Sequence, residues 1–160
     1  MTQDDARFED ADERPLKLKA EDAEDLQVIS ALVQDAVFPV TEIAWQPSQR
    51  RFALLLNRFR WEDQDRARKA GRPVERVQSV LNFDDALKVQ SSGIDRGQSD
   101  MVLSVLALAF APAEDGMGRV EITLAGDGAI ALEVEAVNVS LQDVTRPYIA
   151  PSRKSPEHGD

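Results

Sequence analysis

Apolar residues change their spacing several times along the chain, and each spacing predicts an element. Leu16 and Leu18 alternate with lysines, which predicts a short strand over residues 15–19. In "AEDAEDLQVISALVQDA" the period lengthens: Leu26, Ile29, Leu32, Val33 and Ala36 recur at helical spacing and form one apolar stripe. Glu21, Asp22, Glu24 and Asp25 crowd the first turn, where the helix dipole favours carboxylates, and Pro39 stops the helix. Ile43 and Trp45 return to alternation before the turn-forming "QPSQ". In "RRFALLLNRFRWED", residues 50–63, Phe52, Leu54 and Leu56 fall on one strand face, with Ala53, Leu55 and Phe59 on the other. A helix capped by Ser48 also accommodates Phe52, Leu55, Leu56 and Phe59, and periodicity alone does not separate the two. The W-x-P-S pattern just upstream closes a hairpin and favours the strand.

"EDQDRARKAGRP" reads as an exposed loop or helical turn, closed by Gly71 and Pro73. Val77 to Phe83 predicts a strand that continues through Leu87 and Val89 after a bulge or bend at Asp84 and Asp85. "SSGIDRGQSD" is a loop. "MVLSVLALAF", residues 101–110, is almost continuously apolar, which predicts a central strand buried on both faces. "VEITLAGDGAIALEVE" predicts a hairpin with Asp127-Gly128 at its turn. Through "AVNVSLQDV" and the Val134 just before it, Val134, Val137, Leu141 and Val144 fit a helical face, but β-branched and turn-forming residues favour a bent strand. The resulting fold class is α+β: a mostly antiparallel β-sheet, open or rolled into a partly closed barrel, with one N-terminal amphipathic helix. The expected organisation is an acidic disordered tail over 1–14, one domain over 15–150, and a polar disordered tail over 151–160.

Composition narrows the function more than it defines one. Apolar residues make up 42% and charged residues 30%, as in ordinary soluble proteins. No apolar run is long enough for a membrane-spanning helix, and the acidic N-terminus lacks a signal-peptide core. The chain has no cysteine, which removes disulfides, thiolate metal sites and a cysteine nucleophile. A cytoplasmic location is expected. The single histidine, His158, lies in the predicted C-terminal tail, which argues against a Ser-His-Asp triad or a two-histidine zinc site. "AGDGAI" has the wrong spacing for a phosphate loop and sits between strands. Asp84 and Asp85 are the candidate cation-binding or acid-base pair, although turn-forming aspartates explain them more simply. No catalytic, cofactor-binding or metal-ligating residue is assigned, and no cofactor is expected.

The formal net charge of -10 argues against non-specific nucleic-acid binding. The charge is uneven. Residues 50–76 carry nine of the 19 Lys and Arg against four acidic residues, a net +5. Arg58 and Arg60 share a strand face. With Arg66, Arg68, Lys69 and Arg72 they form a candidate ledge for a small anion or an acidic protein. Pairing with the protein's own carboxylates is the competing account. Phe52 and Phe59 lie on opposite strand faces and make no stacking platform for bases.

Taken in order, "LKLKAEDAEDLQVISALVQDAV", "RRFALLLNRFRWE", "GAIALEVEAVNVSLQDV" and "RPY" give a chain that resembles an alphaproteobacterial family of small cytosolic proteins. That family is catalogued as a domain of unknown function. The resemblance covers roughly residues 15–148 and implies a single-domain bacterial protein, with no catalytic residue, ligand or partner to carry over. The expected function is therefore a non-enzymatic binding or regulatory module acting through a protein or small-anion surface. A carboxylate-based enzyme, with or without a divalent metal, and a homo-oligomeric structural protein are the alternatives.

Overall fold

Period-two alternation becomes an antiparallel sheet in the computed structural model, which describes residues 15–95 and 97–149. The predicted tails, with His158, lie outside the described residues. The strands are β1 (Lys17–Ala20), β2 (Val37–Pro39), β3 (Ile43–Gln46), β4 (Arg51–Phe59), β5 (Arg76–Phe83), β6 (Ala86–Ser92), β7 (Val102–Pro112), β8 (Gly118–Leu124), β9 (Ala129–Val134) and β10 (Val139–Asp143). Two helices accompany them, α1 (Ala23–Leu32) and α2 (Gln64–Lys69). The strands run in the order β1-β10-β5-β4-β2-β7-β8-β9-β6, with β3 beside β4.

The sheet is open, with β1 and β6 as its edges, so the barrel alternative is not realised. Its two halves meet through the three-residue β2, which pairs with β4 only at Val37↔Asn57. Beyond β2, helix α1 takes the place of a strand beside β7. Ser30 Oγ accepts from the Leu108 N–H at 2.9 Å, and Gln27 Nε2 donates to the Leu108 carbonyl at 3.2 Å. Side chains thus satisfy backbone groups that a closing strand would otherwise need to reach.

Helix α1 starts as expected: Asp22 caps it by accepting from the Asp25 N–H at 2.8 Å. It ends earlier than the apolar stripe suggests, at Leu32, and Asp35 turns the chain with φ 65°. Val33 and Ala36 stay buried even so. The expectation of a single helix is corrected by α2, which forms within the charged connection. Ala67 is buried there, and the chain leaves through Gly71 at φ 66°.

Residues 51–59 form a strand. β4 pairs along its length with β5, from Phe52↔Phe83 to Phe59↔Arg76, and β3 covers part of its other edge. Residues 139–143 are likewise a strand, seated between β1 and β5. The Asp84-Asp85 bend does more than interrupt one strand: with Asp85 at φ 60°, β6 departs from β5 and pairs with β9.

β7 is central, yet it is buried on one face, contrary to expectation. Leu103, Val105 and Leu108 are buried, whereas Val102 and Leu106 are 61% and 44% exposed. A bulge between Val105 and Ala107 shifts the phase of alternation, which is why the apolar run looked continuous. The β8–β9 hairpin forms with Ile122 opposite Ile130. Its turn centres on Gly126 and Asp127, both left-handed at φ 78° and 66°, one residue before the expected pair. Gly118 answers a different need. A Cβ there would lie 2.4 Å from Phe110 Cε1, so the ring occupies the space of the missing side chain. Inner faces of both sheet halves and of α1 join in one apolar core.

Candidate functional site

Phe52, Leu54 and Leu56 point into the core from β4, and the same parity carries Arg58 inward. Arg58 is fully buried, at 0% exposure. Register brings its partners to it: Ser79 on β5 lies opposite Leu56 on one side and Asp143 of β10 on the other. Arg58 Nε donates to Ser79 Oγ at 3.1 Å and to Asp143 Oδ1 at 3.2 Å. Nη2 donates to both Asp143 oxygens, at 3.1 and 3.2 Å. Just past the strand, Glu62 accepts from Nη1 and Nη2 at 2.9 Å each, and the Phe59 carbonyl accepts from Nη1 at 3.1 Å. Asp143 also accepts from the Ser79 hydroxyl at 2.6 Å and from the Leu16 N–H at 3.0 Å. Charge-assisted bonds on the guanidinium and on both carboxylates offset the penalty of burying these charges.

A second network adjoins the first. Arg60, 7% exposed, meets Glu75 at 2.7 Å and Asp63 at 3.6 Å. Arg72 meets Asp63 at 2.7 Å and Glu75 at 3.7 Å, and Arg66 approaches Asp63 at 3.9 Å. Trp61 Nε1 donates to the Gln34 carbonyl at 2.9 Å, and the Trp61 ring lies 5.3 Å from that of Phe59. On Phe59 stands the Arg76 guanidinium, 4.7 Å from the ring centre. Ion pairs and one short aromatic stack thus fasten the connector carrying α2 to the end of β4 and β5.

The six arginines and lysines picked out in the sequence separate into three groups. Arg58 and Arg60 are buried and ion-paired, which corrects their place on an exposed ledge: the face that Arg58 shares with its strand neighbours is the inner one. Arg72 is half-buried against Asp63. Arg66, Arg68 and Lys69 stand exposed on α2. Asp84 accepts from Arg51 Nε at 3.0 Å and from Asn82 Nδ2 at 2.8 Å, while Asp85 accepts from Asn138 Nδ2 at 3.1 Å. Both hold the bend between β5 and β6. Among the described residues no cluster of three or more His, Cys, Asp or Glu is placed to hold a metal. Sequence reasoning missed Ser79 and Asp143. Strand parity was the available signal, because Val77-Ser79-Leu81-Phe83 and Val139-Leu141-Asp143 each read as one inward row.

Glu62 is the titrating member of this cluster whose shift is clear. Burial pushes its pKa up, but hydrogen bonding to Arg58 and the Arg58 charge outweigh burial. The net effect holds Glu62 below its ordinary value. Arg58 is held above its own ordinary value: desolvation opposes this, and the Glu62 and Asp143 contacts prevail. A carboxylate whose pKa is depressed on folding contributes stability that is full above the unfolded value and lost as pH falls through the folded one. Urea midpoints are therefore expected to fall below the usual glutamate range, with a shallower fall in Glu62→Gln. Parallel curves for the two proteins would refute this assignment.

These features define an open antiparallel β domain whose core ends in a buried arginine-carboxylate cluster. The chain belongs to the family described as "Protein of unknown function (DUF2948)", whose sequence pattern matches residues 16–158. This bears out the resemblance to a family of unknown function. No match to this chain was found among curated proteins or solved structures. Among the described residues, no helix is long and apolar enough to cross a membrane.

Proposed function

We propose that the domain is a non-enzymatic cytoplasmic binding module whose contact surface is helix α2, and that it takes an acidic segment of a partner protein. One observation carries the reading. In the positive segment 50–76, Glu62, Asp63 and Glu75 are engaged by Arg58, Arg60, Arg66 and Arg72, while Arg50 and Arg51 pair with Glu135 and Asp84, which leaves Arg68 and Lys69 of α2 beside its own Asp65. Arg68 and Lys69 form no ion pair among the described residues. At 3.6 residues per turn, Ala67 faces the protein, Lys69 points away from it, and Arg66 and Arg68 flank it. A convex ridge of this kind encloses no small anion, which favours an extended acidic chain. The overall charge of -10 repels nucleic acid. Arg58 and Arg60 then serve as struts that hold the ridge in place.

Arg68→Glu with Lys69→Glu is expected to abolish salt-sensitive capture of protein partners from native cytosol, with an unchanged circular dichroism spectrum. Identical capture profiles for wild type and variant, at low and moderate salt, would sink the proposal.

A further inference from the structure

At the far end of the other sheet half lies a cleft of about 640 Å3. Its lining is largely apolar and includes Leu87, Ala111, Pro112, Met117 and Val134. Leu87 and Met117 are 38% and 41% exposed, although both are large apolar residues. Glu114, Asp115 and Glu133 also line it, with Arg119, which turns toward Glu121 at 3.5 Å. Lys88 lies opposite Glu133 in register, whereas Glu114 and Asp115 form no ion pair among the described residues.

A second feature meets the cleft at Leu87. The register between β6 and β9 jumps from Ala86↔Val134 to Lys88↔Glu133, leaving Leu87 without a cross-strand partner. β6 is an edge strand, paired with β9 alone, and after Ala86 its outer backbone edge faces no other strand among the described residues. Such an edge is a template for another extended chain.

We infer that this corner is a docking site for an extended cationic segment of a partner protein, one that carries a bulky apolar residue beside Lys or Arg. The segment adds to β6, its apolar side chain enters the cleft over Leu87 and Met117, and its cation meets Glu114 and Asp115. Charge complementarity selects this occupant, since the charged groups lining the cleft that form no ion pair among the described residues are carboxylates. A second copy of this acidic chain would bring like charge to the contact, except through α2. The site is separate from the α2 ridge and does not depend on it.

Fluorescence anisotropy with two labelled heptapeptides of equal charge, KLKLKLK and KSKSKSK, tests the site on the full chain. The wild-type protein is expected to bind the leucine peptide about tenfold more tightly or better. Met117→Lys and Leu87→Lys are each expected to erase that preference without changing the thermal midpoint, while Arg68→Glu with Lys69→Glu leaves it intact. Equal affinity for the two peptides overturns the inference, as does a preference that survives both cleft variants. A dimer in light scattering that Met117→Lys splits also overturns it, because a second copy would then fill the cleft.

Discussion

Arg58→Ala is expected to lower the unfolding free energy by about 3–5 kcal/mol, the range for removing one partner of a buried ion pair. The loss comes less from the contacts removed than from the charges left behind. Asp143 is itself buried and would keep only the Ser79 hydroxyl and the Leu16 N–H as donors, with no cation. Arg58→Lys does not rescue this, because an ammonium cannot reproduce five N–H donors arranged as a fork. Arg58→Met combined with Asp143→Leu separates the two contributions. Replacing both fully buried partners with apolar residues of similar size is expected to recover much of the loss, since the carboxylate that stays charged, Glu62, has a side chain 31% exposed and reaches water. Urea denaturation followed by circular dichroism measures all three proteins. A loss of less than about 1 kcal/mol in Arg58→Ala, a value typical of exposed pairs, would show that the cluster is wet in solution.

Phe52→Ala is expected to cost about 3–5 kcal/mol, as large-to-small changes at fully buried aromatic positions do. Register puts Phe52 between Trp45 on β3 and Phe83 on β5, with ring centres 6.5 and 6.0 Å away. Three strands therefore converge on one ring, and its removal opens a void that none of them can close alone. Leu55→Ala, on the opposite and half-buried face of the same strand, is the control and should cost clearly less. Comparable losses at the two positions would mean that both faces of β4 are equally buried.

Much of this architecture is legible in the order of residues. Alternation located the β8–β9 hairpin and the strand that ends at Phe83, because a strand turns successive side chains to opposite faces whatever surrounds it. For β4 it fits a helix as well, and the W-x-P-S turn upstream favours the strand. The acidic start of α1 was equally readable, because a cap acts within four residues. Misreadings cluster where a local signal has more than one tertiary outcome. The apolar run 101–110 suggested burial on both faces, and one bulge instead sends Leu106 to solvent. The charged connector carries little apolar signal, yet it folds into α2 because Arg60 and Arg72 hold its ends to Asp63 and Glu75.

The arginines show the same division most sharply. By itself the sequence determined that residues 50–76 carry an excess of positive charge, and that Arg58 shares parity with Phe52, Leu54 and Leu56. Only the tertiary structure decided which of those charges are spent internally. Asp143 lies 85 residues from Arg58 along the chain, and it reaches the guanidinium because β10 pairs with β5 and β5 with β4. Periodicity is a property of backbone geometry and is written locally. Charge pairing depends on which strands become neighbours, and that is set by the whole core at once.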